Sequence, residues 1–595
     1  MCRLAGIISY NNPPSERLIK LMRDSMAHGG PDDFGTYIDQ DLPVAFGFRR
    51  LSFQDLSPLG HQPMMDGDKN IILIYNGEIY NFKEIRDELL RKNYRFISSS
   101  DSEVIIYAYL EWGRECFQKF NGMFAIALLD KRTNKILLAR DHAGIKPLYY
   151  SLDGSQLIFA SEIRAFKKIR PDWPENKDWK KYFLLFGSLP EPVTTLHNVQ
   201  PLPKGSVLEI DLPSFQTTFH TFFSIGYNYS ITTLEEAVSK IRTSLTKAVE
   251  RHLISDAPIG LFLSGGIDSS LLTVLARHSI PDTLHTLSII FENEKFSEKY
   301  YQDIIIKKTN ARHRSFLVTE ADFINSLPDI LDAMDQPSSD GINSYFICKY
   351  AKEYGLKAAL SGLGADELFG GYSSFNRTGT MNSLRMFPSF MFAVAGIFPD
   401  DKKRKFTFLK YNNGLGEFLV NRGFFSPAAV AELLDCSQIE VDLLLTGMAE
   451  GLSAATSRLL PTERVSYFER NMYMQNQLLK DTDYMSMWHG LEVRVPFLDR
   501  ELIELVYSIH PDIRYSKVLP KRLLIDAFGD QLPEEIWKRP KQGFSFPFEE
   551  WMKGIKAKGS PEKSQRLSVG LANGNIHWSR YWTYVLSQQE AYSSK

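Results

Sequence analysis

A short loop just before the middle of the chain restricts most strongly what the chain can fold into. An apolar run from Ala257 to Leu263 predicts a buried strand, and the apolar residues between 271 and 275 predict the inner face of a helix. Between them lies the sequence Ser264-Gly265-Gly266-Ile267-Asp268-Ser269. Small residues let backbone N–H groups turn toward an anion, and a helix N-terminus adds partial positive charge. The loop therefore predicts a phosphate or pyrophosphate site, and Asp268 predicts a Mg²⁺ ion there because a carboxylate would repel a bare phosphate.

A second glycine-rich turn carries another carboxylate. Residues 358–360 predict the end of a buried strand, and the turn that follows, residues 361–372, contains Asp366. Asp366 alone would fit a helix cap, but two loops at strand ends, each with an aspartate, predict a clamp for Mg²⁺ and pyrophosphate. Lys541, in the string 539–544, fits either a solvated surface or a cation that stabilises charge on a phosphate. The first loop lacks the Walker spacing, and no Gly-Lys-Ser/Thr follows it.

The start of the chain offers a nucleophile. If Met1 is removed, Cys2 carries a free α-amine with a pKa near 8, which is an internal base beside the thiol. A predicted strand over residues 71–75 ends in Asn76 and Gly77, whose amide groups can hold a developing oxyanion. The string Arg50-Leu51-Ser52 offers a cation for a carboxylate, and Asp101 offers an anion for an ammonium group. Together these residues predict a pocket for an α-amino acid whose side-chain carbonyl is attacked by a thiolate.

Composition and patterning divide the chain and limit its partners. Residues 214–232 are aromatic and polar without a period, and a capping box at 233–236 begins a helical pattern. We therefore expect domains at 2–213 and 234–560, joined by 214–233, with a tail over 561–595. A net charge of −2, from 69 basic and 71 acidic residues, favours no nucleic-acid partner. The apolar stretch 386–398 is shorter than the roughly 20 residues of a membrane span, and four scattered cysteines suit a reducing, cytoplasmic location.

Six strings in the first third resemble the glutaminase domain of class II glutamine amidotransferases. They are Cys2, 28–32, 50–52, 76–81, Ser100-Asp101 and 140–149. The resemblance implies an N-terminal-nucleophile fold of two sheets between helices, which agrees with short apolar runs at 71–75, 124–129, 136–139 and 157–160. It also implies that Cys2 is the nucleophile, with Asn76 and Gly77 as the oxyanion hole. The residues implied to hold glutamine are Arg50, Leu51, Ser52, Asn76, Gly77, Glu78 and Asp101. One departure is Gly29, where that family usually has arginine.

The strings that follow resemble glutamine-hydrolysing asparagine synthetases. They are 263–270, which is similar to the pyrophosphate loop of ATP pyrophosphatases, then 361–372, 481–499 and 539–544. The resemblance implies an α/β domain with a parallel sheet and helical additions, and Lys541 as the lysine that stabilises adenylyl transfer. Mg²⁺ is implied on Asp268 and Asp366. The residues implied to bind ATP are Leu263, Ser264, Gly265, Gly266, Asp268, Ser269, Ile289, Ser361, Gly362 and Asp366.

The resemblance implies a reaction in two halves and a possible homodimer. Glutamine is hydrolysed at Cys2, a carboxylate (aspartate in the parent family) is adenylylated by ATP, and ammonia displaces AMP. Leu363 departs from the pattern, because the family has a glutamate there that helps to deprotonate ammonium. Three explanations stay open: Glu367 or Glu298 substitutes, ammonia arrives neutral, or the acceptor is another carboxylate on a sugar acid or peptide. The alternative from another class is an inactive sensor of nucleotide or glutamine.

Overall fold

The N-terminal part of the chain folds into two antiparallel sheets. The computed structural model describes residues 2–11, 13–280, 283–293, 297–384, 387–398, 401–411, 414–539 and 546–589. The N-terminal strands are β1 (Cys2–Ser9), β2 (Asp33–Ile38), β3 (Val44–Arg50), β4 (Met64–Met65), β5 (Ile71–Ile79), β6 (Gly122–Asp130), β7 (Lys135–Arg140), β8 (Tyr149–Asp153), β9 (Gln156–Ala160), β10 (Gln200–Pro201), β11 (Ser206–Asp211) and β12 (Thr217–Thr221). Within the described residues, one sheet has the order β10-β8-β9-β1-β3-β2 and the other β12-β11-β7-β6-β5-β4.

Helices cover the outer face of each sheet. The N-terminal helices are α1 (Glu16–Asp24), α2 (Phe82–Arg91), α3 (Asp101–Trp112), α4 (Cys116–Lys119), α5 (Arg164–Ile169) and α6 (Trp179–Phe186). Alternation along the strands produces the layers, since successive side chains point to opposite faces. On β1, Leu4 and Ile8 pack between the sheets, whereas Ala5 and Ile7 pack against α1 and α5. The fully buried β5 alternates in the same way, which gives the predicted sandwich of two sheets between helices.

The second half of the chain is built on a parallel sheet. Its strands are β13 (Ile259–Phe262), β14 (His285–Ile290), β15 (Arg312–Leu317), β16 (Ala358–Leu360) and β17 (Glu492–Arg494), in the order β15-β14-β13-β16-β17. The chain runs outward from β13 in one direction through β14 and in the other through β16. Ligands bind outside the carboxyl ends of strands at such a switch point. The loops after β13 and β16, which are the two glycine-rich turns, therefore meet at one edge.

Helices surround this sheet and extend beyond it. They are α7 (Leu234–His252), α8 (Ile267–Ser279), α9 (Lys299–Thr309), α10 (Glu320–Ala333), α11 (Ile342–Glu353), α12 (Ala365–Phe369), α13 (Ser373–Asn376), α14 (Thr378–Leu384), α15 (Asp401–Arg404), α16 (Gly414–Arg422), α17 (Pro427–Leu434), α18 (Gln438–Thr456), α19 (Pro461–Phe468), α20 (Leu479–Trp488), α21 (Arg500–Ser508), α22 (Pro511–Arg514), α23 (Arg522–Phe528), α24 (Glu534–Trp537), α25 (Phe548–Trp551), α26 (Pro561–Ala572) and α27 (Trp578–Ser587). A π-helix, Glu469–Leu478, leads directly into α20. No helix of the described residues is both long and apolar enough to cross a bilayer.

The structure differs from two predicted boundaries and from one predicted capping motif. Strand β12 pairs with β11, so the second N-terminal sheet continues into the segment expected to be a joint. Residues 561–595, expected to be a tail, contain α26 and α27. Helix α27 packs on α6, because its apolar aromatic face is buried against Trp179 and Phe183. Thr233 caps α7 by accepting from the Glu236 N–H at 3.4 Å, but Glu236 pairs with Lys240 at 2.7 Å, so only half of the capping box forms.

Replacement of a side chain between the two N-terminal sheets tests this layer assignment. Ile74 on β5 is fully buried, so Ile74→Ala should lower the free energy of unfolding by about 2–5 kcal/mol through lost apolar contact and a residual cavity. Ile97 is 79% exposed, and Ile97→Ala is the matched control, with little expected change. Chemical denaturation followed by circular dichroism measures both, and equal effects would contradict the assignment.

Candidate active sites

The first site forms where β1 begins. The Cys2 N–H donates to Asn76 Oδ1 at 2.9 Å, although the two residues belong to different sheets, so this bond crosses the centre of the sandwich. Asn76 Nδ2 is a buried donor without a hydrogen-bond partner among the described residues. Gly77 has φ +152, and a Cβ there would lie 2.0 Å from Met123 O, so only glycine fits. An unpartnered amide donor beside a sulfur nucleophile has the chemistry that an oxyanion hole needs.

A cleft of about 330 Å³ opens at Cys2. It brings together seven of the residues singled out in the sequence, namely Cys2, Arg50, Leu51, Ser52, Gly77, Glu78 and Asp101. Ser100, from the string Ser100-Asp101, and Tyr75, at the end of the predicted strand 71–75, also line the cleft. The remaining lining residues, which the sequence did not indicate, are Phe53, Gln54, Gly60, Gln62 and Ser102. Phe53 and Gln54 follow the Arg50 string closely, and Ser102 lies next to Asp101 in α3. Proximity to the predicted strings is the signal that could have found them.

Charged groups in this cleft are held in place by neighbouring backbone and side-chain groups. Arg50 donates through Nη2 to Asp55 O at 2.5 Å, and a Cβ at Gly60 would lie 2.0 Å from that nitrogen. Asp101 begins α3 and accepts from Tyr75 Oη at 2.8 Å and from the Ile79 N–H at 3.0 Å. Burial raises the pKa of the Asp101 carboxyl above its ordinary value. The guanidinium and the carboxyl are therefore fixed before a substrate arrives.

The second domain reaches this cleft through Arg494 on β17. Arg494 Nη2 lies 3.5 Å from Glu78 Oε2, and Nη1 donates to His252 O and Ile254 O at 2.8 and 2.6 Å. Glu492 pairs with the same guanidinium. Glu78 also accepts from Gln54 Nε2 at 2.7 Å, and burial raises the pKa of its carboxyl well above the ordinary value. The string 492–499 was noted in the sequence, but its contact with the cysteine cleft depends on folding.

The second site is a cavity of about 960 Å³ at the carboxyl edge of the parallel sheet. Eight predicted residues line it: Leu263, Ser264, Asp268, Ser269, Ile289, Ser361, Gly362 and Asp366. Gly265 and Gly266 are not among its lining residues. They form the turn itself, where Gly265 has φ +81 and Gly266 caps α8. Ser264 Oγ lies 3.0 Å from Ser269 Oγ, which closes the loop onto the first turn of α8.

Lys521 joins the two predicted metal-binding carboxylates. Its Nζ lies 2.5 Å from Asp268 Oδ2 and 2.6 Å from Asp366 Oδ1, and the side chain is 5% exposed. Burial alone would lower the pKa of Lys521, but the two carboxylates raise it overall. Carboxylate oxygens that converge on one ammonium can also converge on a divalent cation, and oxygen is the donor that Mg²⁺ prefers. The two carboxylates therefore fit Mg²⁺ whose remaining ligands would be phosphate oxygens. No group of three or more acidic, histidine or cysteine ligands occurs in the described ranges.

Sequence reasoning missed Lys521, because a lysine before an apolar helix carries no local signal. The lysine predicted instead, Lys541, lies outside the described residues. Leu363 lines the cavity and packs against the core of this domain. Of the two acids considered as its replacement, Glu298 pairs with Arg539 at 2.6 Å, whereas Glu367 lines the cavity and accepts from Tyr372 Oη at 2.7 Å. Burial and the neighbouring Asp366 raise the pKa of Glu367 to about 7.

A cysteine cleft on a sandwich of two sheets, together with a loop-lined cavity on a parallel sheet, defines a glutamine amidotransferase joined to a nucleotide-dependent synthetase. The family model described as asparagine synthase matches residues 240–562, and the model described as glutamine amidotransferase domain matches residues 1–223. The chain belongs to the asparagine synthase family and carries a glutamine amidotransferase domain.

Full-length relatives agree with this assignment. Asparagine synthetase [glutamine-hydrolyzing] 1 of Bacillus subtilis is 32% identical over 93% of this chain and 88% of its own length. Asparagine synthetase [glutamine-hydrolyzing] 3 of the same organism is 29% identical over 96% of this chain and 91% of its length. A Gibberella zeae protein named amidase chry2 is 25% identical over 89% of this chain and 85% of its length. The similarity therefore spans both domains.

The four free cysteines should differ in reactivity. An electrophilic glutamine analogue should label Cys2 alone, because only Cys2 of the four cysteines lines the cleft. Burial raises the pKa of the Cys2, Cys116 and Cys348 thiols alike, so access through the cleft makes the difference. Cys436 is only partly buried, so a general alkylating reagent should modify it first, and Cys436→Ser is the control. Peptide mass spectrometry measures each site. Labelling of Cys116 or Cys348 in the folded protein would contradict the structure.

Proposed function

We propose that this chain is a glutamine-hydrolysing asparagine synthetase. It converts L-aspartate, L-glutamine, ATP and water into L-asparagine, L-glutamate, AMP and diphosphate. One observation carries the proposal: strand β17 contacts both sites. The side chain of Arg494 pairs with Glu78. The backbone oxygen of Arg494 accepts from the N–H of Ser361, the first residue of the second glycine-rich turn, at 2.9 Å. Two sites built on one shared strand suit a reaction in which one site supplies ammonia to the other.

The cysteine cleft supplies the ammonia. After removal of Met1, the α-amine of Cys2 accepts the thiol proton, and Sγ attacks the side-chain amide carbon of glutamine. Asn76 Nδ2 and the Gly77 N–H stabilise the oxyanion, while Arg50 and Asp101 hold the amino-acid end of the substrate. Ammonia leaves, a thioester remains, and water hydrolyses that thioester to glutamate. Glu78 also lines the cleft, and its carboxyl is positioned by the guanidinium of Arg494.

The nucleotide cavity activates the acceptor. The loop residues Ser264 and Ser269 hold the ATP phosphates at the N-terminus of α8. The acceptor carboxylate attacks the α-phosphorus, diphosphate leaves, and ammonia then displaces AMP from the acyl-adenylate. Lys521 places a fixed positive charge beside the reacting phosphates. Mg²⁺, when bound at Asp268 and Asp366, supplies additional charge neutralisation on the phosphate oxygens.

Leu363 bears on which carboxylate accepts the ammonia. Leucine at position 363 cannot accept a proton, so ammonia must arrive neutral or another carboxylate must take the proton. Glu367 is placed for that role, because it lines the cavity while Glu298 is held by Arg539. A second candidate function, amidation of a different carboxylate on a sugar acid or peptide, is favoured by Leu363 itself. One relative, amidase chry2 of Gibberella zeae, is named as an amidase and not as an asparagine synthetase.

Product analysis with purified protein tests the proposed reaction. Diphosphate release is measured with ATP, Mg²⁺ and glutamine, with and without aspartate, and products are identified by mass. Aspartate-dependent diphosphate together with asparagine, AMP and glutamate is the expected result. Cys2→Ala should abolish the glutamine-dependent reaction and keep the reaction with ammonium salts. If glutamine is hydrolysed but aspartate triggers no diphosphate release, the acceptor is a carboxylate other than aspartate. If protein lacking Met1 shows neither activity, the result favours the inactive sensor.

Removal of the lysine between the two aspartates should separate the half-reactions. Lys521→Met is expected to lower diphosphate release by about 10²–10³-fold, because a preorganised charge at the reacting phosphates is lost. Glutamine hydrolysis at Cys2 should continue. Lys517→Met is the matched control, since Lys517 is exposed four residues earlier. Unchanged diphosphate release in Lys521→Met would show that Lys521 does not act on the phosphates.

Assembly and location follow from the same proposal. ATP and glutamine as substrates require a cytoplasmic location, and the proposal needs neither a nucleic-acid nor a membrane partner. The sequence resemblance implies a homodimer, and analytical sedimentation, which measures the mass of the protein in solution, tests that prediction.

A further inference from the structure

Arg3 occupies the space beside Gly29. A Cβ built on Gly29 would lie 2.8 Å from Arg3 Cγ and 2.8 Å from Arg3 Nε, which is closer than real Cβ contacts. Gly29 is not among the glycines with positive φ, so the backbone at this position tolerates other residues. Position 29 therefore lacks the expected arginine, and the side chain of Arg3 fills the space next to it.

Arg3 lies next to the nucleophile on β1 and reaches the second domain. Its Nη1 donates to Asp483 Oδ2 on α20 at 2.7 Å, and its Nε lies 2.6 Å from Glu162 Oε1. The Arg3 side chain has no exposed surface, and those of Glu162 and Asp483 are 1% and 3% exposed. Buried ion pairs of this kind fix geometry, because breaking one leaves an uncompensated charge.

The ion pairs around Arg3 are balanced. Three cations face three carboxylates: Arg3, Lys146 and Arg164 against Glu162, Asp335 and Asp483. Lys146 Nζ lies 3.3 Å from the second oxygen of Asp483, and His28 Nε2 lies 3.0 Å from Glu162. Removal of Arg3 would leave Asp483 with Lys146 alone. The connection between β1 and α20 would then lose this ion pair.

We propose that Arg3 is a positioning residue that substitutes for the arginine expected at position 29 and ties the nucleophile strand to the synthetase domain through Asp483. This inference rests on the proposed function. Cys2 is held from one side by Asn76 and, through its neighbour Arg3, from the other side by α20. The same helix continues the π-helix whose last residue, Leu478, lines the nucleotide cavity. The position of the nucleophile thus depends on the domain that consumes its ammonia.

Removing the arginine at position 3 and restoring one at position 29 tests the role of Arg3. Arg3→Ala should lower kcat/KM for glutamine by about 10–100-fold while the ammonia-dependent rate per folded molecule stays the same. Asp483→Asn should act in the same direction. The double variant Arg3→Ala/Gly29→Arg should recover the glutamine-dependent rate to within about threefold of wild type, because the guanidinium returns from the other residue. Arg49→Ala, which removes an arginine paired to Arg3 across β1 and β3, is the matched control with unchanged rates.

Two results would overturn the inference. One is an unchanged kcat/KM for glutamine in Arg3→Ala; the other is an equal loss of glutamine- and ammonia-dependent rates per folded molecule. If Arg3→Ala does not fold, the glutamine- and ammonia-dependent rates are compared in Arg3→Lys and Asp483→Asn instead.

Thermal unfolding gives a readout that does not require turnover. Gly29→Ala should lower the Tm when Arg3 is present and leave it unchanged in the Arg3→Ala background, because the clash requires both side chains. Equal Tm shifts in the two backgrounds would overturn the packing on which the inference stands. A wild-type chain without glutamine hydrolysis would overturn the proposed function and the positioning role together, and the thermal cycle would then still decide whether Arg3 fills the space at Gly29.

Discussion

The burial of Arg494 between the two domains is the constraint on which both sites depend. A guanidinium without solvent must find charged and hydrogen-bonding partners, and removing a partner of such a buried ion pair typically costs about 3–5 kcal/mol. Arg494 finds them in Glu492 on its own strand, in Glu78 of the cysteine cleft, and in the carbonyls at the end of α7. Because its backbone also pairs with Leu360, the strand that carries it is fixed to both sites.

Further polar contacts fix how the domains meet. Asn121 Nδ2 donates to Asp499 at 3.0 Å, His142 Nε2 lies 2.8 Å from Leu498 O, and Lys480 donates to Leu189 O at 3.1 Å. These bonds are directional and lie away from water, so they specify one relative orientation instead of a sliding apolar contact. A fixed orientation is what the transfer of ammonia between two sites requires, since ammonia released to solvent would become protonated.

Local strings predicted seven of the residues that line the cysteine cleft and eight of those that line the nucleotide cavity. The cleft at Cys2 is lined by Arg50 at the end of β3, Glu78 near the end of β5 and Asp101 at the start of α3. Both glycine-rich turns contribute residues to the nucleotide cavity at the ends of β13 and β16. The missed residues act across long sequence separations. Lys521 meets Asp268 from 253 residues away, and Arg3 meets Asp483 from 480 residues away. No local pattern marks a lysine or arginine whose partner is so distant.

By itself the sequence determined the elements and the chemistry of each loop. Short apolar runs specified the strands of the sandwich, and small residues beside an aspartate specified the glycine-rich turns after two strands of the parallel sheet, because both effects act over a few residues. Only the tertiary structure decided that Arg3 fills the space at Gly29, that Lys521 joins Asp268 and Asp366, and that β17 connects the two sites. The physical reason is burial. A charge removed from water must be paired, and its partner is set by which distant segments folding brings together.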